Sequence, residues 1–299
     1  MATILTTINM KGGVGKTTLT VNLATCLAQK HQKRVLIVDL DSQISATLSV
    51  LAPHDFARLR RGRRTISYLI DKVIRPYIVR KFGTADMLLE KVCGIQGLDL
   101  LPGNIELYDE YTVAEVLYKK TQNTTEKTKF SESWQQFEQE LITSILEPVR
   151  DRYDYILIDC APGYNLLTRS AIVASDRYLI PARPEPLSLV GIQLLQQRIK
   201  KLKQQYNPPL SLDLLGIVFI LSGGVLSGRY YNQVMQRIKQ DFTPQEVFET
   251  SIPMDVNVAK AVDSFMPVVL NAPNSAGSKA FLKLTSEFLR KIDPKADLW

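Results

Sequence analysis

The residues with the most chemistry to offer lie together in Lys11-Gly12-Gly13-Val14-Gly15-Lys16-Thr17-Thr18. Glycines let backbone N–H groups curl around phosphate oxygens, and the start of a following helix adds favourable partial charge. In such a loop Lys16 reaches the β- and γ-phosphates, the Thr17 hydroxyl ligates Mg2+ and Thr18 contacts the α-phosphate. Glycine spacing, the Lys-Thr-Thr sequence and a strand–turn–helix context agree on a nucleotide-binding loop. A plain surface turn leaves Lys16-Thr17 at a helix start unexplained. Lys11 carries a charge that the ordinary loop pattern does not require. It is either a solvated lysine or a second cation aimed at nucleotide phosphates, including those of a facing subunit, where a cation supplied in trans accelerates phosphoryl transfer.

Strand-end carboxylates accompany the loop. Asp39 and Asp41 close one apolar run and, two residues apart, point to the same side of it. Asp159 closes a second run, Tyr155-Ile156-Leu157-Ile158. One strand-end aspartate more often caps a helix or shapes a loop. Two such sites beside a phosphate loop favour chemistry: Mg2+ held directly or through water, or an attacking water oriented. Spacing alone leaves open which aspartate does which.

Around these residues, 2–9 reads as a buried strand ahead of the glycine turn, and 17–29 has helical spacing of Leu19, Val21, Leu23, Ala24 and Leu27. The run 35–38 has the uninterrupted apolar character of a central parallel strand covered on both faces, and 155–158 repeats it. Further strands fall at 177–181 and 214–221, with helices at 165–174, 187–205, 230–240 and 278–291. The alternation implies an α/β fold, a doubly wound, mostly parallel sheet flanked by helices. A helix at 66–79, a short strand at 98–101 and a polar stretch at 121–129, read as an exposed loop between helices, occupy a less orderly region. No internal repeat is present. Residues 1–299 read as one elaborated domain with a divergent, insertion-rich region at about 52–130.

The 299-residue chain is 45% hydrophobic, ample for a core of that size. No apolar run approaches the ~20 residues of a membrane span, and no basic segment precedes an apolar stretch at the N-terminus as in a signal peptide. Cys26, Cys93 and Cys160 lie far apart with no CxxC pair, which argues against a disulfide framework or zinc site and fits a reducing cytoplasm. The formal charge of +7 points to a polyanionic partner. Arg58, Arg60, Arg61, Arg63 and Arg64 crowd one segment, and from residue 191 onward 13 Lys/Arg stand against 9 Asp/Glu.

The loop, the Asp39-Leu40-Asp41-Ser42-Gln43 segment and the strand at 155–162 resemble the ParA/MinD group of deviant Walker ATPases, ParA-type partition ATPases in particular. The resemblance continues through Leu179-Ile180-Pro181, Glu185-Pro186, Gly191, Thr250-Ser251-Ile252-Pro253 and the final helix, and is weak over about 52–99. It implies a P-loop NTPase fold, ATP and Mg2+ as cofactors, and an ATP-bound sandwich homodimer in which Lys11 reaches the partner's nucleotide. By the same resemblance Asp41 positions the lytic water, Asp39 supports the metal site, Asp159 is the Walker B carboxylate, and Pro253 and Asp255 lie against the adenine. It also implies non-specific DNA binding by the ATP-bound dimer, a ParB-like adaptor that stimulates an otherwise slow hydrolysis, and a cytoplasmic, nucleoid-associated location. The cargo of such proteins is a plasmid or chromosome, and relatives of the same type move protein organelles such as carboxysomes.

The sequence departs from the group's pattern at Met10, where glutamine is usual, and at Ser42 and Ile44, where proline and glycine are usual. These changes leave the charged groups in place and alter the loop that orients water. The chain starts at its first strand, without the helix-turn-helix extension of larger ParA proteins, so operator binding is not expected. Non-specific DNA binding needs lysine and arginine near phosphates rather than base readout. By resemblance that surface forms late in the chain, with Lys260, Lys279, Lys283 and Arg290 as candidates and Arg237 and Lys239 second, although taken singly each reads first as part of an ordinary solvated helix face. The cluster at 58–64 fits DNA, an acidic partner or neither. A membrane-cycling MinD-like ATPase needs an amphipathic helix beyond the core. Phe281, Leu282, Leu284, Phe288 and Leu289 read instead as the apolar face of a last core helix, and 293–299 is too short and broken for an anchor. A nitrogenase-reductase-like carrier needs paired cysteines, whereas Cys160 reads as a small core residue. Nothing in the sequence suggests the small-substrate pocket of a metabolic ligase.

Overall fold

The computed structural model describes residues 1–75, 82–122, 130–220 and 228–293. Six apolar runs form one parallel sheet: β1 (Thr3–Thr7), β2 (Val35–Leu40), β3 (Leu98–Leu101), β4 (Tyr155–Cys160), β5 (Arg177–Ala182) and β6 (Asp213–Phe219). Before β3 come α1 (Lys16–His31), α2 (Ser45–Leu48), α3 (Pro53–Arg61), α4 (Ile66–Ile74) and α5 (Thr84–Met87). Then follow α6 (Glu110–Gln122), α7 (Phe130–Leu146), α8 (Leu166–Val173), α9 (Pro186–Gln205) and α10 (Gly228–Asp241). The chain closes with α11 (Val256–Asp263), α12 (Val268–Asn271) and α13 (Ala276–Ile292).

The strand order is β3-β2-β4-β1-β5-β6, so the chain leaves β1 toward one edge and later returns past it toward the other. Ligands of open α/β sheets bind outside the carboxyl ends of the strands at such a reversal, which here is where the glycine loop leaves β1. Every residue of β2 and β4 is buried, as strands covered on both faces must be. Leu36, Val38 and Leu40 pack in one layer with α4, α7 and α8, while Val35 and Ile37 pack in the opposite layer with α1, α12 and α13. A third cluster joins β5 and β6 to Ile192, Leu195 and Ile199 of α9. Fully buried Glu138 of α7 pairs with Arg169 of α8 at 2.7 Å and accepts from the Tyr206 hydroxyl at 3.0 Å, tying the outer helices together.

Most expected elements are present, with shifted ends. The helix at 165–174 has Asn165 as its N-cap, accepting from Thr168 N–H at 2.9 Å. The last helix starts earlier than expected because Ser275 caps it, accepting from Ser278 N–H at 3.1 Å. Thr121 and Gln122, expected in a loop, complete α6, and the rest of that stretch, 123–129, lies outside the described residues. The helix expected at 66–79 is observed to Ile74; 76–81 lie outside the described residues, as do Leu221 and 294–299. Among the described residues no helix is long and apolar enough to cross a membrane.

Candidate functional site

The glycine loop is anchored before it begins. The Asn9 amide donates to the Pro181 carbonyl at 2.8 Å, and its oxygen accepts from Lys11 N–H at 2.9 Å, binding the turn to β5. Gly12 and Gly13 are exposed, Val14 is buried, and Gly13 and Gly15 take φ of 69° and 90°. At Gly15 a Cβ would come within 2.6 Å of the Ile220 Cδ1, so both backbone and space demand glycine. Gly15 is the N-cap of α1, which has no side-chain cap and no acid in its first turn. The first N–H groups of the helix are therefore left for an anion.

Lys16 is only 6% exposed. Its ammonium donates to the Lys11 carbonyl at 3.2 Å, burial lowers its pKa, and the charges of Asp159 and Asp41 oppose that shift. The neighbouring Thr17 hydroxyl donates to the Asp159 carboxylate at 2.6 Å, while Thr18, half-buried, directs its carbonyl to the Asn22 amide at 2.9 Å. Strand register sets Asp39 directly beside Asp159. Burial, then the charge of Asp39, pushes the Asp159 carboxyl up to about 8. Burial also raises Asp39, to about 6, against the pull of hydrogen bonds from Thr47 and the Asp41 N–H. Buried carboxyls next to a hydroxyl supply the hard oxygen donors that Mg2+ takes, with room left for phosphate and water.

The two strand-end sites have different duties. Asp39 accepts from Thr47 N–H at 2.8 Å, from the Thr47 hydroxyl at 2.7 Å and from Asp41 N–H at 3.1 Å. Its oxygens therefore hold α2 and the Asp41 backbone in place. The Thr47 hydroxyl in turn accepts from Gly103 N–H at 2.9 Å, and a Cβ at Gly103 would lie 2.9 Å from the Asp39 carboxyl carbon. Asp41, buried, accepts from Gln43 N–H at 2.9 Å and lies close enough to Lys16 to act on its charge. Ile44 sits at φ 51° as the N-cap of α2, a left-handed conformation rarely taken by a β-branched residue.

At the rim, the Lys11 ammonium pairs with the Glu185 carboxylate at the start of α9. Lys11 remains about half exposed, 51%. Behind Glu185, Leu187, Val190 and Leu194 form an exposed apolar stripe at 75%, 57% and 44%. On the other flank, Ile220 and Ile252 form a parallel bridge that carries Pro253 and Asp255 past the end of β6, with Ile220 against Gly15. The Asp255 carboxylate is already engaged: it caps α11 through Asn257 N–H at 2.8 Å and accepts from Gly277 N–H at 2.8 Å. Cys160, expected as a core residue, is buried in β4. A cleft of about 550 Å3 opens beside this edge, lined by Leu40, Ser42, Ile105, Asp109, Ala161 and Asn165, a feature absent from the sequence reading.

Lys279, Lys283 and Arg290 are exposed along α13, and Lys260 is exposed on α11. None has a carboxylate within 4.0 Å among the described residues. Arg237 is exposed on α10, and the side chain of Lys239 lies outside the described residues. Thr47, Gly103, Ile220 and Glu185 were not singled out in the sequence as parts of the site. Only Gly103, just past a short strand, gives a local signal of close backbone approach.

Loop, sheet reversal and strand-end carboxylates together define a P-loop nucleotide-binding protein. The family model described as an AAA domain matches residues 2–212. The sequence is 30% identical to the sporulation initiation inhibitor protein Soj of Bacillus subtilis, over 96% of this chain and 98% of that protein. It is 29% identical to the chromosome partitioning protein ParA of Myxococcus xanthus, over 96% of this chain and 88% of that one. The fold is shared with the ATP complex of Cyanothece McdA, with a TM-score of 0.71, 17% identity and 96% of each chain covered. The chain belongs to this AAA-domain family, in its ParA/MinD group of deviant Walker ATPases.

Proposed function

We propose that the whole chain works as one Mg2+-dependent ATPase domain that dimerises on ATP, binds DNA without sequence preference and segregates a plasmid or chromosome. An adaptor of ParB type stimulates its slow hydrolysis and releases it from the nucleoid. The observation that carries this reading is the Thr17–Asp159 hydrogen bond of 2.6 Å beside buried Lys16, with Lys11 held at an exposed rim. Thr17 and Asp159 would hold Mg2+, the loop 12–18 the phosphates, and Asp41 the attacking water. Asp39 supports the metal site by fixing Asp41, and Pro253 and Asp255 flank the adenine side. When bound, Mg2+ supplies charge neutralisation of the transferring phosphate. The apolar stripe Leu187, Val190 and Leu194 beside Glu185 supports a second copy covering this rim, because exposed apolar patches mark association surfaces. The family resemblance implies one other cargo, a protein organelle such as the carboxysome, moved by the same cycle.

The test is sedimentation and random-duplex binding in ATP and in ADP. Wild type should dimerise and bind DNA only with ATP. Asp41→Ala should hold ATP and persist as a dimer, and Lys11→Ala should bind nucleotide yet stay monomeric. Equal DNA binding in ADP, or an unchanged dimer for Lys11→Ala, would overturn the switch.

A further inference from the structure

Neither the nucleotide site nor the packing of the fold uses the full set of arginines at 58–64. We propose that the end of α3 and the turn after it, presenting Arg58, Arg61 and Arg63, form a second contact surface for the phosphodiester backbone of duplex DNA, separate from the basic face of α13. This rests on the DNA-associated reading and extends it to a region where family resemblance offers no assignment.

Arg58 and all residues from Arg60 to Arg64 are exposed. Between Pro53 and Arg64 five arginines face a single carboxylate, Asp55. Two of the five hold the strip to the body: Arg60 pairs with Glu106 at 3.2 Å, and Arg64 donates to the Asp86 carbonyl at 3.1 Å. The other three carry charge without supporting another element. Among the described residues the Arg58 side chain reaches only Asp55 of its own helix, at 3.9 Å, and the Arg61 side chain only the Ala57 carbonyl one turn back, at 3.4 Å. The Arg63 side chain has no hydrogen bond or ion pair among the described residues, and the residue sits at φ 54°, a conformation costing about 1 kcal/mol for a side chain other than glycine. Attraction to a helix C-terminus accounts for arginines in the last turn of α3, but not for those beyond it.

The chemistry favours a phosphate backbone over an acidic peptide. A peptide side chain would seek the adjoining cleft of about 430 Å3, and that cleft is lined by Asp71, Glu106 and Asp109 as well as Arg60, Arg63 and Arg75. Those charges balance, so an inserted carboxylate finds no net attraction there. A duplex lying across the outer surface meets the free guanidiniums, whose planar forks match phosphate oxygens. The strip is also tied to the nucleotide site: only residues 49–52 separate α3 from α2, and Thr47 of α2 holds Asp39 through bonds of 2.8 and 2.7 Å.

The experiment compares wild type with the triple variant Arg58→Ala/Arg61→Ala/Arg63→Ala, using fluorescence anisotropy of a random-sequence duplex with ATP across a salt series. The variant should bind more weakly whatever the sequence, and its log affinity should fall less steeply with log salt, by about 0.9 for each phosphate contact removed. Its DNA-free ATP turnover and ATP-dependent dimer should match wild type. Lysine at all three positions should restore most of the affinity, whereas binding as weak as the alanine variant would show that charge is not the cause. If wild type binds and the alanine variant binds with the same affinity and slope, this surface is refuted and the DNA-associated reading stands. If wild type does not bind duplex with ATP, both fall.

Discussion

Replacing Asp159 by asparagine removes a buried charge that the Thr17 hydroxyl and the Lys16 ammonium offset only in part. The carboxyl moves from 3.8 to about 8 on folding, chiefly through burial and then through the neighbouring Asp39 charge. A raised folded-state pKa means that stability is full below the unfolded value and is lost as pH rises toward the folded one. Roughly four pH units correspond to about 5 kcal/mol of stability lost by wild type between pH 4 and pH 8. Asparagine escapes that loss and can still accept from the Thr17 hydroxyl. Part of the gain is returned at Lys16, because Asp159 is the first of the charges that keep its buried ammonium protonated. The net advantage at pH 8.5 is therefore smaller than about 5 kcal/mol and should raise the melting temperature of the variant above that of wild type. The assay is thermal unfolding in EDTA without nucleotide, from pH 5 to pH 9. The gap between variant and wild type should widen with pH and level off above about 8. With ATP and Mg2+ the order should reverse if, as proposed, Asp159 holds the ion, because only wild type then has the ion to compensate its carboxylate. A variant less stable than wild type at pH 8.5, or a gap independent of pH, would refute the reasoning.

The loop around Asp39 and Asp41 yields further tests. Gly103→Ala places a Cβ 2.9 Å from the Asp39 carboxyl carbon and should lower the urea midpoint by the equivalent of about 2 kcal/mol and reduce ATP turnover. Gly62→Ala, whose nearest contacts are an ordinary 3.5 Å, should do neither. At Ile44, φ 51° reverses the usual rank of small residues: Ile44→Gly should be more stable to urea than Ile44→Ala by about 1 kcal/mol, because both lose the buried side chain and only glycine loses the strain.

What was legible before folding was local. The loop announces itself because a few adjacent glycines, a lysine and a threonine must satisfy one phosphate group, and all of them lie within Gly12 to Thr18. The strands carrying Asp39 and Asp159 were equally clear, since a strand buried on both faces needs an unbroken apolar run. Less clear was the region from about 52 to 130. Its helices α3 and α6 are mostly polar and pack on other helices, α2 and α7, whose placement the local pattern does not display.

The sequence by itself determined that a phosphate loop opens a helix, that aspartates end two central strands, and that an extra lysine precedes the loop. Those are consequences of backbone conformation and short-range periodicity. The tertiary structure alone decided how they divide the work. It set Asp159 against Thr17, turned Asp39 toward Thr47, and packed Gly103 against Asp39 from 64 residues away. It also paired Lys11 with Glu185 across 174 residues of chain. Such partners are chosen by the order of strands in the sheet, which juxtaposes segments remote in sequence, and no local preference of either segment encodes that meeting.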